Sequence, residues 1–259
     1  MADTGGAIIM TCAIEINHLY FRYKEFSLED VNLSLHLGEQ KALVGLNGSG
    51  KTTLFKLILG LLEPESGTIH VFERKVEREN LWEIRKDVGF LFQNPDDQLF
   101  APTVWEDVAF GPRNLGMTPE EIEKRVEWSL SVVGMTNFID RPVNQMSHGE
   151  AKRVALAGII AMRPKVLLLD EPFAGLDFPM ISSMVDIIQN LRNEGISVLY
   201  TTHNRFFLEN WADSVAVLHA GRMIYDGPVE LALQDPSIAQ ETGDWTELGY
   251  RMRKYRGLA

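Results

Sequence analysis

The sequence predicts an α/β fold with a mostly parallel core sheet, an antiparallel β subdomain at the N-terminal end and an inserted α-helical subdomain. Three observations carry this prediction. Short apolar strands alternate with helical segments, as parallel sheets require. The stretch from Ala13 to Leu37 instead alternates apolar and polar residues, as in Val31-Asn32-Leu33-Ser34-Leu35, the period of antiparallel strands with one buried face. Between Phe100 and Met162 the strand signal stops and helical periodicity takes over. The expected boundaries are 12–235 for the main domain, with the helical part at about 100–162, and 236–259 for a short C-terminal extension.

Taken in order, Lys41 to Val44 is a short apolar strand ending in a Gly-rich turn, and a helix is expected from Lys51 to about Leu59. Val88 to Phe92 reads as a strand closed by the turn residues Asn94-Pro95-Asp96-Asp97. Thr118-Pro119-Glu120-Glu121 has the chemistry of a helix start: an N-cap hydroxyl, proline at the first position and acids in the first turn. Ile122, Val126, Leu130 and Val133 then share one face, a core-packing stripe. A second helix is expected near Gly149 to Met162, followed by strands at Val166–Leu169, Ser197–Tyr200 and Val215–Leu218.

Composition excludes several classes of function. The apolar stretches, such as Ala155 to Met162, are much shorter than the roughly 18 residues of a membrane span. No basic residue precedes the first apolar run, Ala7 to Met10, so no secretory signal is expected. Cys12 is the single cysteine, which excludes an internal disulfide and a multi-cysteine metal site; it reads as a small hydrophobe beside the first strand. A formal charge of −11 argues against broad nucleic-acid binding. Arg251, Arg253, Lys254 and Arg256 form a basic end, read as a solvated tail. A cytoplasmic protein is expected.

The chemistry begins at Gly45-Leu46-Asn47-Gly48-Ser49-Gly50-Lys51-Thr52, a match to G-x-x-x-x-G-K-[ST] between a strand and a helix. Glycines there let backbone N–H groups turn toward phosphates, and the helix N-terminus adds partial positive charge. Asn47, Gly48, Ser49, Gly50, Lys51, Thr52 and Thr53 are therefore the expected ATP-binding residues, with Lys51 on the outer phosphates and the Thr52 hydroxyl on Mg²⁺. Val166-Leu167-Leu168-Leu169-Asp170-Glu171 is a buried strand ending in paired acids. Asp170 is expected to hold the Mg²⁺ shell, and Glu171 to orient or deprotonate the attacking water.

With these motifs in place the chain resembles the nucleotide-binding domain of the ABC transporter family, an ABC-type P-loop NTPase, from Ile14 to about Leu233. Met146-Ser147-His148-Gly149-Glu150 stands where that family has its Leu-Ser-Gly-Gly-Gln signature. The resemblance implies that Ser147 and Gly149 bind the γ-phosphate of ATP held by an opposite subunit. His148 and Glu150 depart from the pattern, which leaves their own contacts open. It further implies that Tyr23 stacks on adenine, that Gln93 senses Mg²⁺ and the attacking water, and that Asp177, in Ala174-Gly175-Leu176-Asp177, crosses between subunits. His203 would touch the γ-phosphate, giving Glu171, His203 and Gln93 as the catalytic set. Each of these has a plain alternative: Tyr23 as sheet packing, Gln93 as a loop residue, His203 as a helix cap.

The run Phe92-Gln93-Asn94-Pro95-Asp96-Asp97-Gln98-Leu99-Phe100, with Asp107-Val108-Ala109-Phe110-Gly111-Pro112, is similar to the ATPases of energy-coupling factor importers. That likeness implies ATP and Mg²⁺ as cofactors and a second copy, or a paralogous ATPase, as partner. It also implies a membrane T component docking through coupling helices near Gln93, an S component engaged indirectly, and a peripheral location on the cytoplasmic face of the cell membrane. The short C-terminal tail favours cobalt or nickel as cargo. A vitamin importer is the alternative, as is a soluble, non-transport ABC ATPase; a GTP-dependent switch or kinase would have no use for Ser147 or His203.

Overall fold

The computed structural model describes residues 12–242. The apolar run Ala7 to Met10 and the basic residues Arg251, Arg253, Lys254 and Arg256 lie outside them.

β1 (Cys12–Tyr23) and β2 (Phe26–His36) form an antiparallel hairpin in which apolar residues alternate inward. Buried Ile14, Ile16, Leu19 and Phe21 on β1 face Leu28, Val31, Leu33 and Leu35 on β2. β4 (Ser66–Val71) pairs with the other edge of β1, and the short β5 (Arg74–Lys75) closes a four-stranded antiparallel sheet of order β2-β1-β4-β5. This is the expected N-terminal β subdomain.

The second sheet has six strands in the order β10-β9-β3-β8-β7-β6. β3 (Gln40–Val44), β6 (Val88–Leu91), β7 (Val166–Leu169), β8 (Ser197–Thr201) and β9 (Ser214–His219) run parallel. Only β10 (Arg222–Pro228) is antiparallel, at the edge, where its half-exposed pattern is tolerated. The parallel strands are continuous apolar runs because each face has its own core. Ala42 and Val44 on β3, with Leu167 and Leu169 on β7, point into one core; Leu43, Val166 and Leu168 point into the other.

α1 (Lys51–Ile58) follows β3 and packs Leu54, Phe55, Leu57 and Ile58 beneath the antiparallel sheet. α2 (Leu81–Asp87) leads into β6, and Asp87 at its end is held by Arg74 and Lys165. The expected helical block consists of α3 (Val104–Asn114), α4 (Pro119–Val132) and α5 (His148–Ile160), which pack on one another. Thr118 caps α4 through a reciprocal capping box with Glu121, as the local sequence predicts, and Ile122, Val126, Leu130 and Val133 are buried. α6 (Phe178–Asn193), α7 (Arg205–Trp211) and α8 (Val229–Gln234) complete the fold. No helix among the described residues is long and apolar enough to cross a membrane.

Candidate functional site

Strand ends build the site. β3, β7 and β8 stop side by side, and the loops that leave them carry Gly45–Gly50, Asp170–Gly175 and Thr202–His203. This crevice at the carboxyl edge of a parallel sheet is where open α/β folds bind ligands. The cleft there has a volume of about 590 Å³ and brings together Asn47, Gly48, Gly50, Lys51, Thr52, Thr53, Gln93, Asp170, Glu171 and His203.

Gly50 caps α1 in a left-handed conformation (φ +114°), closed to most side chains, and this turns the loop across the helix axis. Lys51 is buried within that loop, its Nζ donating to the Gly45 and Leu46 carbonyls at 2.8 and 3.2 Å. Burial pushes its pKa down, while the negative charges of Glu171 and Asp170 pull it back up. Ser49 has a buried hydroxyl oxygen with no hydrogen-bond partner among the described residues.

Asp170 is fixed from two sides: Thr52 Oγ1 donates to Oδ2 and Thr201 Oγ1 donates to Oδ1, both at 2.7 Å. Thr201 Oγ1 also accepts the Glu171 N–H at 2.8 Å. The Glu171 backbone is left-handed (φ +45°), unusual for a residue with a side chain and typical of functional positions. Its carboxyl pKa is raised, first by burial and then by Asp170, against the lowering pull of Lys51 and Lys152. Oε1 lies 3.3 Å from His203 Nε2 without hydrogen-bond geometry, and this buried oxygen has no hydrogen-bond partner among the described residues. The His203 pKa is lowered by burial and by Lys51, against the raising pull of Asp170, which favours the neutral ring.

The donor set suits Mg²⁺. The Thr52 hydroxyl and the Asp170 carboxylate are hard oxygen donors 2.7 Å apart at the cleft floor, and the Gln93 side chain lines the same cleft.

Ser147, Gly149, Glu150 and Asp177 do not line this cleft. Ser147 is the exposed N-cap of α5 and forms a capping box with Glu150, whose Oε2 accepts from the Ser147 N–H at 2.8 Å and from Oγ at 2.9 Å. Glu150, which departs from the family signature, thus completes the cap. Gly149 is buried against Met180 of α6, and Asp177 caps α6. His148 lies in a neighbouring depression with Thr52, Gln93, Asp170 and Gly175. Tyr23 stands 60% exposed at the end of β1, outside the cleft lining; Phe26, its cross-strand partner in the hairpin, lines the cleft and packs on Gly50.

Sequence reasoning does not single out Phe26, Thr201 or Lys152. Thr201 could have been found as a hydroxyl ending a strand two residues before His203. Lys152 is fully buried, and its Nζ donates to the Glu171 and Ala174 carbonyls at 3.0 and 3.1 Å.

A phosphate-binding loop, a carboxylate on its threonine and a second carboxylate poised in the same crevice define a P-loop ATPase. The sequence matches the ABC transporter family over residues 28–174. It is 43% identical over 226 residues to the energy-coupling factor transporter ATP-binding protein EcfA of Methanocaldococcus jannaschii, covering 86% of this chain and 81% of that one. EcfA of Methanothermobacter thermautotrophicus is also 43% identical, over 84% of this chain and 72% of its own. Among solved structures, cbiO1 of Clostridium perfringens, part of the ABC transporter complex cbiONQ, superposes with a TM-score of 0.79 at 33% identity, covering 93% of this chain and 99% of that one. The chain belongs to the ABC transporter ATPase family and, within it, to the EcfA-type ATPases of energy-coupling factor transporters.

Proposed function

We propose that two copies of this chain, or one copy and a paralogous ATPase, close head to tail on two ATP molecules and drive an energy-coupling factor importer for cobalt or nickel ions. One observation carries the dimer: Ser147 and Gly149 do not line the cleft that holds Lys51, Thr52 and Glu171. Each chain therefore offers two half-sites, and a second chain completes both.

In this reading the loop from Asn47 to Thr53 grips the phosphates, and Lys51 pairs with the outer ones. Tyr23 stacks on adenine. Thr52, Asp170 and Gln93 would hold Mg²⁺, which when bound would neutralise charge on the phosphate oxygens. Glu171 orients the attacking water and accepts its proton, and neutral His203 donates to the γ-phosphate. Across the interface Ser147 and Gly149, with the His148 backbone, bind the γ-phosphate, and the Asp177 loop packs beside the partner's site. Breaking the β–γ bond separates two anions and removes the contacts that held the subunits together. The coupling helices of a membrane T component, seated near Gln93 and the helical block, turn that opening and closing into transport. The S component is engaged only through the T component, and the chain sits on the cytoplasmic face of the membrane.

A vitamin importer would use the same ATPase chemistry as one for cobalt or nickel. Purifying the tagged chain from membranes of its native host separates these. Retention of a multispanning partner together with a metal-binding membrane protein is expected. A vitamin-binding membrane protein in its place overturns the cargo, and recovery with no membrane protein overturns the importer.

A further inference from the structure

Lys152 is among the largest fully buried side chains of the molecule, yet it is a cation. Its hydrogen-bond acceptors among the described residues are two main-chain carbonyls, those of Glu171 and Ala174, and it forms no ion pair with a carboxylate there. A buried ammonium hydrogen-bonded only to carbonyls is costly to keep where a methionine would fill the same space, even with the Glu171 and Asp170 charges offsetting part of that cost. The cost shows in its pKa, which burial lowers to about 8. Packing therefore does not account for the residue; the placement of its two acceptors does.

Those acceptors bracket the loop that presents Glu171. The Glu171 N–H is held by Thr201 Oγ1 and its carbonyl by Lys152 Nζ, so the peptide groups on both sides of the strained φ are fixed. One helical turn before Lys152, on the same face of α5, the His148 ring lies against Gly175. A Cβ on Gly175 would come within 3.1 Å of that ring, and the glycine is left-handed (φ +75°). α5 thus grips residues 171–175 at two points along one face, and its own N-cap is Ser147.

We propose that Lys152, supported by His148, is a positioning residue for Glu171: the helix whose first turn carries Ser147 to the partner's nucleotide clamps, on its second turn, the backbone that aims its own subunit's base. This rests on the reading of Glu171 as the base and Ser147 as a contact made in trans. A shift of α5 on meeting the partner's ATP is then felt at Glu171 of the same chain, which couples the two sites.

The test measures ATP turnover, affinity for a fluorescent ATP analogue and thermal unfolding on the full chain. Lys152→Met should lower kcat tenfold or more, leave nucleotide affinity within twofold and not lower the unfolding temperature. Lys152→Gln, which keeps N–H donors for the carbonyls, should stay within threefold of the parent kcat. Parent-like turnover in Lys152→Met, or an equal loss in both variants, overturns the proposal. Should the Met variant not fold, His148→Ala at its exposed position carries the test: a kcat lowered threefold or more at unchanged affinity is expected, and unchanged kcat overturns it. Glu171→Gln run alongside separates the two levels, because normal hydrolysis in that variant removes the base assignment itself, whatever Lys152 does.

Discussion

The chemistry of the cleft rests on a few side chains whose charges act on one another. As the proposed base, Glu171 would work only when ionised, and burial with the Asp170 charge holds its pKa above the ordinary carboxylate value. A raised pKa means that the proton returns earlier as the solution is acidified. Turnover at saturating ATP should therefore fall on an acid limb lying above pH 4.5, with full rate on the alkaline side; a limb at or below the ordinary value contradicts the buried setting of Glu171. Thr201 offers a second test at this scale. Its hydroxyl donates to Asp170 and accepts from the Glu171 N–H, and it is fully buried. Thr201→Val keeps the shape but strands both groups, at about 1–3 kcal/mol for each buried polar group left unpaired. A lowered unfolding midpoint in denaturant together with slower turnover is expected, and an unchanged midpoint would show that the bridge is dispensable.

Among the elements, those with local signals were legible in the sequence. α4 announces itself through Thr118, Pro119 and Glu121, and the capping box is present in the fold. The parallel strands announce themselves as apolar runs because both of their faces are buried. β4, β5 and β10 were not anticipated: β4 begins with two exposed residues, β5 has only two residues, and β10 is an edge strand with half of its residues facing solvent. Lys152 escaped notice for a different reason. A lysine in a helix ordinarily marks a solvated face, and its burial arises only when the loop after β7, the next strand along the chain, folds back over α5. Phe26 likewise meets Gly50 only because the β1–β2 hairpin is laid beside the P-loop by tertiary packing. Thr118→Ala should cost about 1 kcal/mol of stability and leave ATP hydrolysis unchanged. Altered hydrolysis in that variant would tie α4 to the chemistry, which nothing in the cleft requires.

At the scale of the whole molecule, two sheets and two cores meet at one crevice, and the half-sites on the P-loop and on α5 do not meet within a chain. The motifs act together as much as singly, because Lys51, Gln93, Glu171 and His203 all fall just beyond the ends of the parallel strands β3, β6, β7 and β8. In the proposed dimer ATP acts as adhesive: its γ-phosphate would make contacts that exist only in the closed pair. The most direct measurement is the mass in solution of Glu171→Gln, which should bind ATP but hydrolyse it slower by about 10² or more through loss of the base. By sedimentation it should be a monomer alone or with ADP and a stable dimer with ATP, with two nucleotides per dimer and no dimer when Ser147→Arg is added. A variant that binds ATP fully and remains a monomer would contradict the composite site.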